Sequence, residues 1–114
     1  MLWKYKKCYQ ETNEDIIGTC LSVPTIIYNH PTNPLAEIDV TSKDCRYGNI
    51  DTIRIPVGVN GLGCLERLSS IDIIWSDTTT FSISVNTLPL SGSITATNGT
   101  TGETLEIITA GDCI

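Results

Sequence analysis

Apolar side chains recur at every second position over much of this chain, the spacing that sets one face of a strand against a core and leaves the other to water. Ile53, Ile55, Val57 and Val59 repeat in this way among Asp51, Thr52, Arg54 and Asn60, and Phe81, Ile83 and Val85 alternate with Thr80, Ser82, Ser84 and Asn86. Over 35–41 the inward set is Ala36, Ile38 and Val40, with Glu37 and Asp39 opposite, and 71–75 resumes the strand pattern up to Trp75. At the N-terminus Trp3, Tyr5, Lys7 and Tyr9 alternate with Leu2, Lys4, Lys6 and Cys8, which predicts a first strand with a row of aromatic residues. The run 65–70 departs from this period: Leu65 and Leu68 share a face at i,i+3 and predict one or two helical turns.

Turn chemistry separates these runs. Pro24 has no N–H to give a ladder, so it predicts an edge, a bulge or a break between a strand over 19–23 and another over 25–28, and Pro56 carries the same warning of an edge or a bulge. The prolines and asparagines of Asn29-His30-Pro31-Thr32-Asn33-Pro34 make the clearest loop. Asn60-Gly61-Leu62-Gly63 supplies residues tolerant of positive φ for a tight turn, and Asn98-Gly99-Thr100-Thr101-Gly102 lies between two β-rich runs as a hairpin connection. Turn signals thus recur about every 8–15 residues without any helix-length period, predicting an all-β fold, a single small β-sandwich or barrel of about seven to nine short strands. One domain is expected over 1–114, with 1–9 a basic aromatic N-terminal arm or edge strand, because two cores in so short a chain would each be undersized.

Composition strengthens the strand reading, with sixteen Ile and sixteen Thr against one Met and one Phe. Their branched β-carbons fit a pleated, half-buried surface. The formal charge of −6 and only seven basic residues disfavour nucleic acid as a partner, since phosphate binding depends on clustered Lys and Arg. Three of those seven, Lys4, Lys6 and Lys7, crowd the first seven positions, so a basic segment precedes an acidic body. The lysines either guard an edge strand against unwanted pairing or dock on an acidic neighbour such as another copy of the chain. No run approaches the ~20 apolar residues of a membrane span, and the N-terminal lysines sit where a signal peptide needs its hydrophobic region. The chain is therefore expected to be made and kept inside the cell, in the cytoplasm.

Candidate chemistry is sparse. Five cysteines, Cys8, Cys20, Cys45, Cys64 and Cys113, cannot all pair within one chain, and without an export signal they are expected as reduced thiols acting as small hydrophobes. Disulfides Cys8–Cys20 and Cys45–Cys64 are the alternative. No C-x2-C pair announces zinc, which leaves a scattered four-ligand site as the only metal arrangement, and no Asp-rich loop suggests calcium. The single histidine, His30, reads as an exposed loop residue, and Asp72, Asp77, Glu103 and Glu106 read as solvated faces. The glycines at 58, 61 and 63 lack the Lys-Ser/Thr of a phosphate loop, and Asn98-Gly99-Thr100 reads as a turn although it fits the N-glycosylation pattern. No catalytic residue, metal ligand or cofactor is assigned, and an enzyme is not expected.

Trp75, ending an apolar strand, is expected in the core, whereas Trp3, Lys4, Tyr5, Lys6, Lys7 and Tyr9 are the interface candidates, an aromatic anchor among lysines. The Thr-rich stretch 76–109 with its Asn-Gly hairpin resembles small β-sandwich decoration and tail proteins of tailed bacteriophages. That resemblance implies a structural virion protein whose partners are other protein subunits, itself or capsid and tail proteins, bound through exposed strands and terminal arms. The competing expectation is a small ligand-binding module, with carbohydrate held on exposed aromatics.

Overall fold

A computed structural model of the chain describes residues 20–113, so the interface candidates Trp3, Lys4, Tyr5, Lys6, Lys7 and Tyr9 and the strand expected there lie outside the described residues. Within 20–113 the alternating pattern becomes ten short strands: β1 Cys20–Val23, β2 Thr25–Asn29, β3 Glu37–Lys43, β4 Ile50–Pro56, β5 Gly58–Asn60, β6 Gly63–Glu66, β7 Ser70–Ile74, β8 Thr80–Ser84, β9 Ser91–Thr97 and β10 Thr104–Ala110. They form three antiparallel sheets of order β5-β2-β10-β9, β4-β3-β7-β8 and β1-β6. One 3-10 turn, Val85–Thr87, is the sole helical element among the described residues.

The period of two decides what each strand buries. In β3 the inward residues are Ile38 and Val40, in β7 Ile71 and Ile73, in β2 Ile26 and Tyr28, and in β10 Leu105 and Ile107. These side chains from the two four-stranded sheets share one core with Ile55, Trp75 and Ala96, so the fold is a small all-β sandwich. Trp75 sits in that core as its place at the end of an apolar strand implied. The β1–β6 pair extends the sandwich, sending Leu21, Val23 and Leu65 into the same core.

Both prolines act as breaks. Pro24 separates β1 from β2, and Pro56 ends β4, an edge strand that needs no donor on its open side. Gly61 has a different constraint: a Cβ there would lie 2.5 Å from the Pro24 carbonyl oxygen, so only glycine lets the β5–β6 connection pass this close.

Two local expectations are corrected. Residues 65–70 make no helical turn, because Leu65 pairs with Leu21 across the β1–β6 ladder and is buried, while Leu68 is 89% exposed. A short i,i+3 apolar pair is ambiguous, and the tertiary partner decides it as strand. The β9–β10 connection is a six-residue loop closed by Asn98 N donating to Glu103 O at 2.8 Å and Gly102 N to Asn98 O at 2.7 Å. Gly102, at φ 82°, takes the left-handed position there instead of the Asn98-Gly99 pair.

Candidate functional site

Residues 20–113 carry ten carboxylates against four Lys and Arg, so this part of the chain is acidic. Eight large apolar side chains are exposed among the described residues, and three of them, Tyr47, Ile50 and Leu68, lie at one end of the β4-β3-β7-β8 sheet, while Leu35, Val59, Ile74, Phe81 and Leu90 are exposed elsewhere. Ile50 stands opposite Lys43 at the open end of β4, Tyr47 lies in the turn that joins β3 to β4, and Leu68 lies in the turn that joins β6 to β7. The first turn is pinned by Tyr47 N donating to Asp44 Oδ2 at 2.7 Å and Gly48 N donating to Asp44 O at 3.0 Å, with Gly48 at φ 71°. That geometry projects Tyr47 outward at 80% exposure, beside Ile50 at 69% and Leu68 at 89%.

Two shallow grooves adjoin at Ser42 in this region. One, of about 370 Å³, runs between Ile50, Leu68, Lys43 and Glu66; the other, of about 330 Å³, lies beside Tyr47, Asp44 and Asp51. Lys43 Nζ and Glu66 Oε1, 3.4 Å apart, face each other in the first groove as a surface ion pair, a contact worth about 0–1 kcal/mol. Further along the sheet the outer face is polar. Arg54 lies 3.3 Å from Glu37 and 3.2 Å from Asp39, the Thr41 and Thr52 hydroxyls meet at 2.7 Å, and Ser82 donates to Asp72 at 2.6 Å. Among the described residues β4, β8, β5 and β9 each have a neighbour on one side only.

Glu103 is a correction to the sequence reading, for it is fully buried and not a solvated face. Its Oε1 accepts from the Tyr28 hydroxyl at 2.6 Å and from Ser76 N at 3.1 Å, and its Oε2 accepts from the Thr101 hydroxyl at 2.6 Å. Burial alone would raise this carboxyl, but the hydrogen bonds from Thr101, Tyr28 and Ser76 outweigh it and hold Glu103 below the usual glutamate range. Burial, then the bond to Glu103, pushes the Tyr28 hydroxyl upward. The network joins β2, the loop before β10 and the chain just after β7, so it latches the two large sheets at one end. No spacing in the sequence signals it, because its members are far apart in the chain.

Asn98 supports the same end. Its Oδ1 accepts from Thr100 N at 2.9 Å and its Nδ2 donates to Asp77 Oδ1 at 3.2 Å, so the nitrogen that glycosylation would need is engaged in a partly buried contact. Hydrogen bonds from Thr79, with a further one from Asn98, hold Asp77 below the usual carboxylate range. His30 Nδ1 accepts from Thr32 N at 3.1 Å and Asn33 N at 2.9 Å, which makes the histidine the organiser of its own loop. Of the Tyr and Trp residues described, Tyr28 and Trp75 are buried and Tyr47 is exposed.

The cysteines also differ from expectation. Cys20 is bonded to Cys45 and Cys64 to Cys113, in place of reduced thiols or of the pairs Cys8–Cys20 and Cys45–Cys64; Cys8 lies outside the described residues. Both bonds belong to one satellite cluster apart from the main core, in which the sulfurs of Cys20, Cys45 and Cys64 all lie within 4.8 Å of one another. No protein family, curated protein or solved structure matches the chain.

Proposed function

We propose that this chain is a structural subunit of a larger assembly, a virion component of the capsid-decoration or tail-accessory kind, which acts through protein–protein contacts and performs no catalysis. The observation that carries the reading is the placement of Tyr47, Ile50 and Leu68, three of the eight large apolar side chains exposed among the described residues, around two adjoining grooves. Exposed tyrosines such as Tyr47 are enriched at the centres of protein interfaces, and charged groups such as Lys43 and Glu66 suit the rim. The partner is another protein subunit, with the basic aromatic segment 1–9 supplying charge complementary to the acidic body.

Light scattering of the full chain, together with imaging of the particle it comes from, tests this. Self-association or co-purification with a much larger particle is expected, weakened by Leu68→Asp and by Ile50→Lys, each of which places a charge where an apolar contact is needed. A stable monomer that joins no larger particle would overturn the reading. Saturable binding on a glycan panel by such a monomer would transfer the function to a carbohydrate-binding module.

A further inference from the structure

We propose that the four-cysteine cluster is a redox-gated metal site, in which Cys20, Cys45, Cys64 and Cys113 hold one zinc ion as four thiolates once their two disulfides are reduced. The four residues come from β1, the turn after β3, β6 and the segment after β10. A tetrahedral zinc with Zn–S bonds of about 2.3 Å needs its sulfurs about 3.8 Å apart. Three of the sulfurs already lie within 4.8 Å of one another, and the fourth is bonded to one of them.

This convergence does not depend on the sulfur–sulfur bonds. Cys45 N donates to Cys64 O at 3.0 Å and Cys113 N donates to Cys20 O at 3.2 Å, so the backbones of the four residues are tied pairwise across the disulfides. Isolated bridges Leu21↔Asp112 and Asp44↔Leu65 hold the adjoining residues, and Ser22 N donates to Gly111 O at 2.9 Å. Reduction therefore leaves four thiols facing one small volume. Cys20 is buried while Cys45, Cys64 and Cys113 are partly exposed, which gives an ion a way in.

The surrounding charge is mixed: Asp44 and Asp112 adjoin Cys45 and Cys113 in the chain and Glu66 is the register partner of Cys20, with Arg67 and Lys43 as the cations paired to Asp112 and Glu66. A zinc tetrathiolate carries two negative charges, and Arg67, the residue after the register partner of Cys20, reaches Asp112 next to Cys113 at 3.4 Å. The Arg67 Nε is buried without a hydrogen-bond partner, a cationic donor left over at this end of the fold.

The chemistry balances in two stages. Each disulfide breaks on accepting two electrons and two protons from one dithiol, which closes to its own disulfide and leaves two cysteine thiols. The four thiols then release four protons as zinc forms four Zn–S bonds, so uptake is pH-dependent and strengthens as pH rises. In a reducing compartment the thiolate form is favoured, and in an oxidising one the disulfides are.

The test reduces the full chain with a dithiol under anaerobic conditions, removes the reductant and titrates cobalt(II), the coloured stand-in for zinc, followed by zinc. One cobalt per chain is expected, with the visible bands of a tetrahedral site and a thiolate-to-cobalt charge-transfer band in the near ultraviolet, all displaced by zinc. The oxidised chain shows none of these. Serine at position 20, 45, 64 or 113 is expected to weaken binding by more than the roughly 10–100-fold that loss of an outer-sphere partner costs, whereas Cys8→Ser leaves it unchanged. Circular dichroism runs alongside: a reduced chain that keeps its β spectrum binds directly, and one that loses it regains it on adding zinc. Absence of the cobalt bands in a folded reduced chain, failure of zinc to restore an unfolded one, or dependence on Cys8 in place of the other four would overturn the site.

Discussion

Replacing Glu103 tests the claim that a buried carboxylate latches the two large sheets. In Glu103→Ala the Tyr28 hydroxyl, Ser76 N and the Thr101 hydroxyl lose their acceptor at once, and a buried donor left unsatisfied costs about 1–3 kcal/mol. Rearrangement of the hydroxyls recovers part of this, giving an expected loss of about 3–5 kcal/mol, a large share of the roughly 5–15 kcal/mol by which a domain is folded. Glu103→Gln keeps a carbonyl oxygen for Tyr28 and Ser76 and turns an amide donor toward Thr101, whose hydroxyl can reverse to accept, so about 1–2 kcal/mol is expected.

The pH profile separates charge from shape. Because Glu103 titrates below its unfolded value when folded, its contribution is complete above the unfolded pKa of about 4.3 and fades as pH falls through the lower folded value. Urea unfolding followed by far-ultraviolet circular dichroism, at neutral pH and down through the acid range, reads both effects. The expected pattern is Ala much worse than Gln at neutral pH, with the acid loss of stability reduced in Gln. Equal costs for the two variants, an Ala cost under about 1 kcal/mol, or an unchanged acid limb in Gln would refute the latch.

Gly61→Ala forces a methyl against the Pro24 carbonyl, which is backbone and cannot swing away, so thermal unfolding should show a loss of about 1–3 kcal/mol. Thr109→Val keeps the shape of a buried side chain but removes the donor to Pro89 O at 2.8 Å and the acceptor for Gly92 N at 3.1 Å; denaturant titration is expected to show about 1–3 kcal/mol of destabilisation. Arg54→Gln, by contrast, breaks exposed ion pairs to Glu37 and Asp39 and should change stability by less than about 1 kcal/mol in the same assay. Non-reducing peptide mapping of the oxidised chain should recover the Cys20–Cys45 and Cys64–Cys113 links, and their reduction without metal should lower stability by about 2–5 kcal/mol.

Local pattern was sufficient for the strand class and for the inward face of β3, whereas the run 53–59 divides between β4 and β5, with Ile55 buried and Val59 72% exposed. Ile38 with Val40 and Ile71 with Ile73 alternate because the strand period is set by the backbone itself, and burial follows that period. Pro24 and Pro56 likewise act through a missing N–H, a property of the residue alone, and both fall where strands end or break. The charge of the body is also composition, legible without any fold.

What the pattern left open depended on partners distant in the chain. Leu65 is a strand residue because Leu21 lies across from it, which no window around 65–70 contains. Glu103 stands only two residues from the strand residue Leu105, yet the Tyr28 hydroxyl, 75 positions away, and Ser76 N make its burial affordable in a way no neighbouring residue reveals. The cysteine partners are 25 and 49 positions apart, and spacing carries no information once several strands fold back on one another. The sequence by itself determined the period, the breaks and the charge, each a property of single residues or their immediate neighbours. Tertiary structure alone decided which exposed apolar side chains share a face, which carboxylate is buried and which cysteines meet, because each of these is a relation between segments that only strand pairing brings together.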